Sequence, residues 1–136
     1  MVKKAQTGIE YVIVFSFVTF VIISVSGIAY VYSGLSKDKL KSNQVESMAT
    51  EIISASETVF FAGEPSATRI SVVVPQGIIN ISVTSGGIEI VSSSSSGENL
   101  RFFESRVPLK GNVSSTEGRR TLNIQAKDTY VLVWSV

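Results

Sequence analysis

From Tyr11 to Ser36 the chain reads YVIVFSFVTFVIISVSGIAYVYSGLS, 26 residues without a single Asp, Glu, Lys or Arg. This run limits what the chain can fold into more than any other feature. As an α-helix rising about 1.5 Å per residue it reaches roughly 39 Å, more than the hydrocarbon thickness of a bilayer. It is apolar all round, so no face of it is suited to water, and it calls for lipid or other apolar helices on every side. Val, Ile and Thr are frequent in it and are weak helix formers in water. Where no water reaches the backbone, however, the peptide groups must pair within the segment. The run is too long for a secretory h-region and no small-residue cleavage site follows it, so it is expected to stay in the mature chain. Lys3 and Lys4 precede it, and Lys37, Lys39 and Lys41, against Asp38, follow it. Orientation by the positive-inside rule is therefore nearly balanced. Hydrophobicity alone describes a single-pass anchor. Ser24, Ser26 and Gly27 form a small-residue patch that suits close helix approach or a local bend.

Helical periodicity continues past the apolar run. Leu40, Val45, Met48, Ile52, Ile53, Val59 and Phe60 recur at helical spacings among Lys, Glu, Ser and Asn, and Gly63 followed by Pro65 supplies the stop. The simplest element is one helix of more than fifty residues, with an apolar first half and a second half carrying one apolar stripe. The remainder alternates with period two in TRISVVV, IINISVT, GIEIVS, NLRFFE, RTLNIQAK and YVLVWSV. Ile70, Val72 and Val74 share a face, as do Ile79, Ile81 and Val83, Ile88 and Ile90, and Leu122, Ile124 and Ala126. Turns are expected at PQG, SGG, the serine run from Ser92, KGN from Lys110 and TEG from Thr116. The expected fold is α+β: a long N-terminal helix whose stripe from Val45 to Phe60 covers a small antiparallel β-sandwich or meander of six or seven strands. Trp134 is expected in the core or in subunit packing, and the serine run in a solvated hairpin loop.

Composition narrows the function. The chain has no cysteine and no histidine, which removes thiol and imidazole chemistry and the zinc sites built on those ligands. Its 12 basic and 11 acidic residues leave a net charge of +1 without a basic stripe, so nucleic acid is not an expected partner. No paired-carboxylate spacing, glycine-rich phosphate cradle or nucleophile elbow is present, and neither catalysis nor a cofactor or metal is expected. Two sequons, NIS at Asn80 and NVS at Asn112, are candidate N-glycan acceptors if the β domain faces the exterior.

The start of the chain adds a specific pattern. In KKAQTGIEY, Gln6 follows a short basic leader and Glu10 stands four residues further on, directly before the apolar run. This resembles the class III signal peptide of archaeal type IV pilin-like proteins, and the stretch G..S.T.ISVVVP.GI.NI.V from Gly63 to Val83 is similar to the β region of archaeal pilins. The resemblance implies a leader of residues 1–5, cut by a prepilin peptidase between Ala5 and Gln6 at the cytoplasmic face. It implies a helix over residues 6–62 that spans the membrane in the precursor and forms the filament core after assembly, and a head over 66–136. Ala5 stands where the family more often has glycine. A homopolymeric surface filament raised by an ATPase-driven platform, for adhesion or attachment, is the function implied. In type IV pilins the carboxylate at the position of Glu10 pairs with a neighbour's new amine, here that of Gln6; otherwise Glu10 is a carboxylate favoured by the helix dipole at the membrane boundary. Phe15, Phe17, Phe20 and Gly27 are the expected contacts between helices. A motility filament subunit and an unrelated membrane-anchored β-domain protein are the alternatives.

Overall fold

A computed structural model describes the backbone from Val2 to Val136 and the side chains from Gly8 onward. Helix α1 (Val2–Ala62) is followed by strands β1 (Ala67–Val74), β2 (Ile78–Thr84), β3 (Gly87–Ser94), β4 (Gly97–Glu104), β5 (Leu109–Asn112), β6 (Gly118–Ala126) and β7 (Val131–Ser135). Two compact units are present, one up to Lys37 and one from Asp38 onward. The α+β class expected from the sequence is the one observed.

In the second unit the C-terminal part of α1 closes the core. Val45, Met48, Ala49, Ile52 and Val59, at helical spacing, are at most 5% exposed. They join a single cluster with Val72, Val74, Ile81, Ile88, Ile90, Leu122, Ile124, Val131 and Val133 of the sheet. Each buried Val or Ile contributes about 1.5–3 kcal/mol, so this stripe is a major part of the head's stability. Ser56, fully buried among these residues, donates to the Ile52 carbonyl at 2.7 Å, which removes the cost of an unpaired hydroxyl. Leu40, expected at the start of the stripe, is instead exposed. The helix ends where Gly63, at φ 81°, turns into the left-handed region and its N–H donates to the Phe60 carbonyl at 3.0 Å.

The strands form one sheet in the order β1-β6-β7-β5-β2-β3-β4. All pairs are antiparallel except β5 with β7. The inner face carries the alternating apolar residues: Ile70 opposite Leu122, Ile124 opposite Val133, Ile81 opposite Ile90 and Ile88 opposite Phe103.

Four local expectations change. KGN is not a turn: Lys110, Gly111 and Asn112 belong to β5. Glycine is needed at position 111 because a Cβ there would lie 1.7 Å from the Val133 carbonyl oxygen, with φ at 141°. Ile79 leaves the face of Ile81 and Val83. A bulge between Ile78 and Asn80 turns Ile79 outward and Ile78 toward the core. The serine run is mostly strand: β3 extends to Ser94, Ser92 is buried, and only Ser95 and Ser96 form the turn. Of the two places expected for Trp134, the core is not the one: it lies half-buried on the outer face, since its neighbours Val131 and Val133 take the inward positions of β7.

Candidate assembly surface

The first candidate surface is the apolar part of α1. By length and composition, the stretch beginning at Gly8 is long and apolar enough to cross a membrane, with a mean hydropathy of 2.5 in its most apolar window. Its own chain does not cover it. Phe15, Phe17 and Phe20 are 63%, 67% and 68% exposed, and Tyr11, Ile22, Ile23, Tyr30 and Tyr32 are exposed as well. A contiguous apolar surface of this extent marks a contact with lipid or with other proteins. Two polar side chains within it are paired internally: Thr19 Oγ1 donates to the Phe15 carbonyl and Ser24 Oγ to the Phe20 carbonyl, each at 2.8 Å. These hydroxyls make no demand on the surroundings, as a segment without water requires. A Cβ at Gly27 would meet nothing within 4 Å, so a flat spot faces outward there. Glu10 is exposed at the N-terminal end of the uncharged run. The expected cleavage point, Ala5 and Gln6, lies outside the described side chains.

The second surface is the head, and its attachment to the helix has polar contacts beside the apolar stripe. The Asp38 carboxylate accepts from Ser94 Oγ at 3.2 Å, from the Ser95 N–H at 3.3 Å and from the Ser95 hydroxyl. The Ser95 hydroxyl chiefly, with the Ser95 N–H, Ser94 and the Lys41 charge, holds this carboxyl below its ordinary value of 3.8 against a smaller opposing effect of desolvation. Lys41 Nζ donates to the Ser93 carbonyl at 2.8 Å. Further along, Arg101 of β4 donates to the Ser42 carbonyl and hydroxyl, pairs with Glu46 at 3.1 Å, and stacks over Phe103 at 4.9 Å. The β3–β4 hairpin is thereby fastened to α1 over two helical turns. The serine run and its aspartate are far apart in sequence, with no periodic pattern to connect them, which is why this fastening is not legible in the sequence.

The outer face of the sheet gathers the two sequons. Asn112 is the strand partner of Ser82, the hydroxyl residue of the Asn80 sequon, and Asn80 Nδ2 donates to Ser82 Oγ at 3.0 Å. Both asparagines are exposed, on neighbouring strands and about two residues apart diagonally, roughly 7–8 Å. The same cross-sheet row runs on through Trp134 and Asn123 to Arg69. Arg69 Nε donates to Asn123 Oδ1 at 2.9 Å, which lays the guanidinium along this face.

Among the described residues, no group of three or more Asp or Glu stands together in a way that would hold a metal ion. Compared with known protein families, curated proteins and solved structures, the chain finds no match.

Proposed function

We propose that the chain is the structural subunit, a major pilin, of an archaeal type IV pilus-like surface filament used for adhesion or attachment. One observation carries the proposal: an uncharged helical segment whose large side chains are all exposed, with the hydroxyls of Thr19 and Ser24 paired to its own backbone. Such a surface is equally stable in lipid and among copies of itself, because neighbouring helices replace lipid tails with little change in polarity. The subunit is held in the cytoplasmic membrane as a precursor, loses residues 1–5 to a prepilin peptidase, and is moved by an assembly platform and its ATPase into a helical homopolymer. Packing of Phe15, Phe17 and Phe20 against the flat spot at Gly27 sets the registry of the core. The new amine of Gln6 meets Glu10 of the adjacent copy, and the heads line the outside.

Electron microscopy of sheared surface fractions, paired with N-terminal sequencing of the purified chain, tests this directly. Fibres built of a chain that begins at Gln6 are expected. An intact Met1 without fibres would instead identify a membrane-anchored β-domain protein. Glu10→Gln is expected to lower filament number while leaving the cleaved fraction unchanged; unchanged filament number would remove the pairing role from Glu10.

A further inference from the structure

The two edges of the sheet are β1 and β4, each eight residues long, and their backbones offer unpaired groups to solvent. Which groups are free follows from the ladder. The Ala126 N–H bonds the Ser66 carbonyl, so in β1 the even-numbered residues face β6 and Ala67, Arg69, Ser71 and Val73 direct their N–H and C=O outward. The Ser105 N–H bonds the Gly86 carbonyl, so in β4 the odd-numbered residues face β3, and Glu98, Leu100, Phe102 and Glu104 direct theirs outward. The same residues carry the outer-face side chains on both edges. Val73, Leu100 and Phe102 are 54%, 60% and 53% exposed there. A long edge with exposed apolar side chains is a template for another strand unless something blocks it.

The geometry points to the pairing of β1 of one copy with β4 of the next, antiparallel, with Arg69 opposite Glu104, Ser71 opposite Phe102 and Val73 opposite Leu100. In this register every outward backbone group of those six residues is met, giving about six hydrogen bonds. The exposed apolar side chains cover one another, and the only charge near the middle of the outer face of β1 meets a carboxylate. On the inner face Ile70 falls opposite Phe103, joining the two cores. Pairing β4 with a second β4 in the register that sets Leu100 opposite Phe102 would also set Glu98 against Glu104 twice, and pairing β1 with a second β1 would leave Leu100, Phe102 and Glu104 uncovered. The β1 to β4 contact satisfies both edges with a single interface. It is head-to-tail, leaves a free β1 and a free β4 at the two ends, and so propagates as an open polymer. The contact deepens the filament proposal and rests on it for the reason that copies are brought side by side.

The chain contains no cysteine, which makes the test clean. The full-length double variant Val73→Cys, Leu100→Cys is expressed, surface and membrane fractions are oxidised, and products are read on a non-reducing gel beside micrographs of the surface fraction. Within one chain the two positions stand on opposite edge strands with five strands between them, six strand spacings or up to about 29 Å along the sheet, which keeps them out of disulfide range. A ladder of dimers, trimers and longer products from the double variant, absent from either single cysteine variant, is expected. Fibres that yield only monomer would overturn the edge contact while leaving the filament proposal standing, and dimers from Val73→Cys alone would overturn it in favour of β1 with β1. If no fibres form, a ladder in the membrane fraction upholds the edge contact and the filament proposal fails; monomer there overturns both. Arg69→Glu or Glu104→Arg placed in the double-cysteine background should each lower the cross-linked fraction roughly three-fold, and the two together should restore it. Failure of the paired reversal to restore the ladder would likewise overturn the register.

Discussion

Replacing Ile52 by alanine tests whether the second half of α1 is part of the head's core. Ile52 is fully buried, at 0% exposure, in the cluster shared with the sheet. The substitution removes three carbons, and at about 0.8 kcal/mol for each the transfer loss is about 2.4 kcal/mol. If a void of roughly 50 Å³ persists, the cavity adds about 1.2 kcal/mol, for a total near 3.6 kcal/mol. Domains of this size have only about 5–15 kcal/mol to lose, so the effect is large. Leu40 lies on the same helix but is 63% exposed, and Leu40→Ala should change head stability by less than about 0.5 kcal/mol. Urea titration of the detergent-solubilised chain, followed by fluorescence of Trp134, its only tryptophan, reads both variants. The midpoint should fall for Ile52→Ala with little change in slope. Equal losses at the two positions, or a loss below about 1 kcal/mol at Ile52, would refute the assignment of this helical stripe to the core.

Three further outcomes are expected. Asp38→Asn should loosen the β3–β4 hairpin and speed amide exchange at Ser95 and Ser96 near neutral pH. The native carboxyl is held below 3.8, so its contribution is present above that value and is lost as pH falls through the lower folded value; wild type and variant should converge in strong acid. Gly111→Ala, which drives a Cβ into the Val133 carbonyl, should destabilise the head by at least about 2 kcal/mol in the same urea assay, whereas Gly97→Ala, where a Cβ would meet nothing, should cost less. In a glycosylating host, intact-mass measurement should find occupancy of Asn80 and Asn112 anticorrelated, and Asn112→Gln should raise occupancy at Asn80; fully doubly glycosylated chains would show that their proximity does not matter.

The elements that were legible in the sequence are those whose signal is local and repeated. The uncharged run from Tyr11, the stripe through Val45, Met48 and Ile52, and the alternation in Ile70, Val72 and Val74 each state their burial through spacing alone. What escaped depends on partners distant in the chain. Gly111 has the look of a turn residue because its requirement comes from Val133, 22 residues later on β7. The bulge at Ile79 is invisible in a segment where three neighbouring positions, Ile78, Ile79 and Ile81, are all isoleucine. Asp38 gives no hint of the hairpin it holds. For the candidate surface, the apolar helix and both sequons were readable, but neither the adjacency of the sequons nor the identity of the free edges was. Both follow from strand order, which alternation does not encode.

That strand order also fixes a sequence of events. β7 lies between β6 and β5, and it is the last strand to be made. Until it exists, the ladder of β1 with β6 and the group formed by β5, β2, β3 and β4 have no shared strand and cannot become one sheet. The apolar run, which ends at Ser36, leaves the ribosome about a hundred residues before β7 ends at Ser135. At that stage the partner surface of Val45, Met48 and Ile52 has yet to form. An apolar segment long enough to cross a membrane is thus complete well before the head can fold, an order set by the arrangement of the strands.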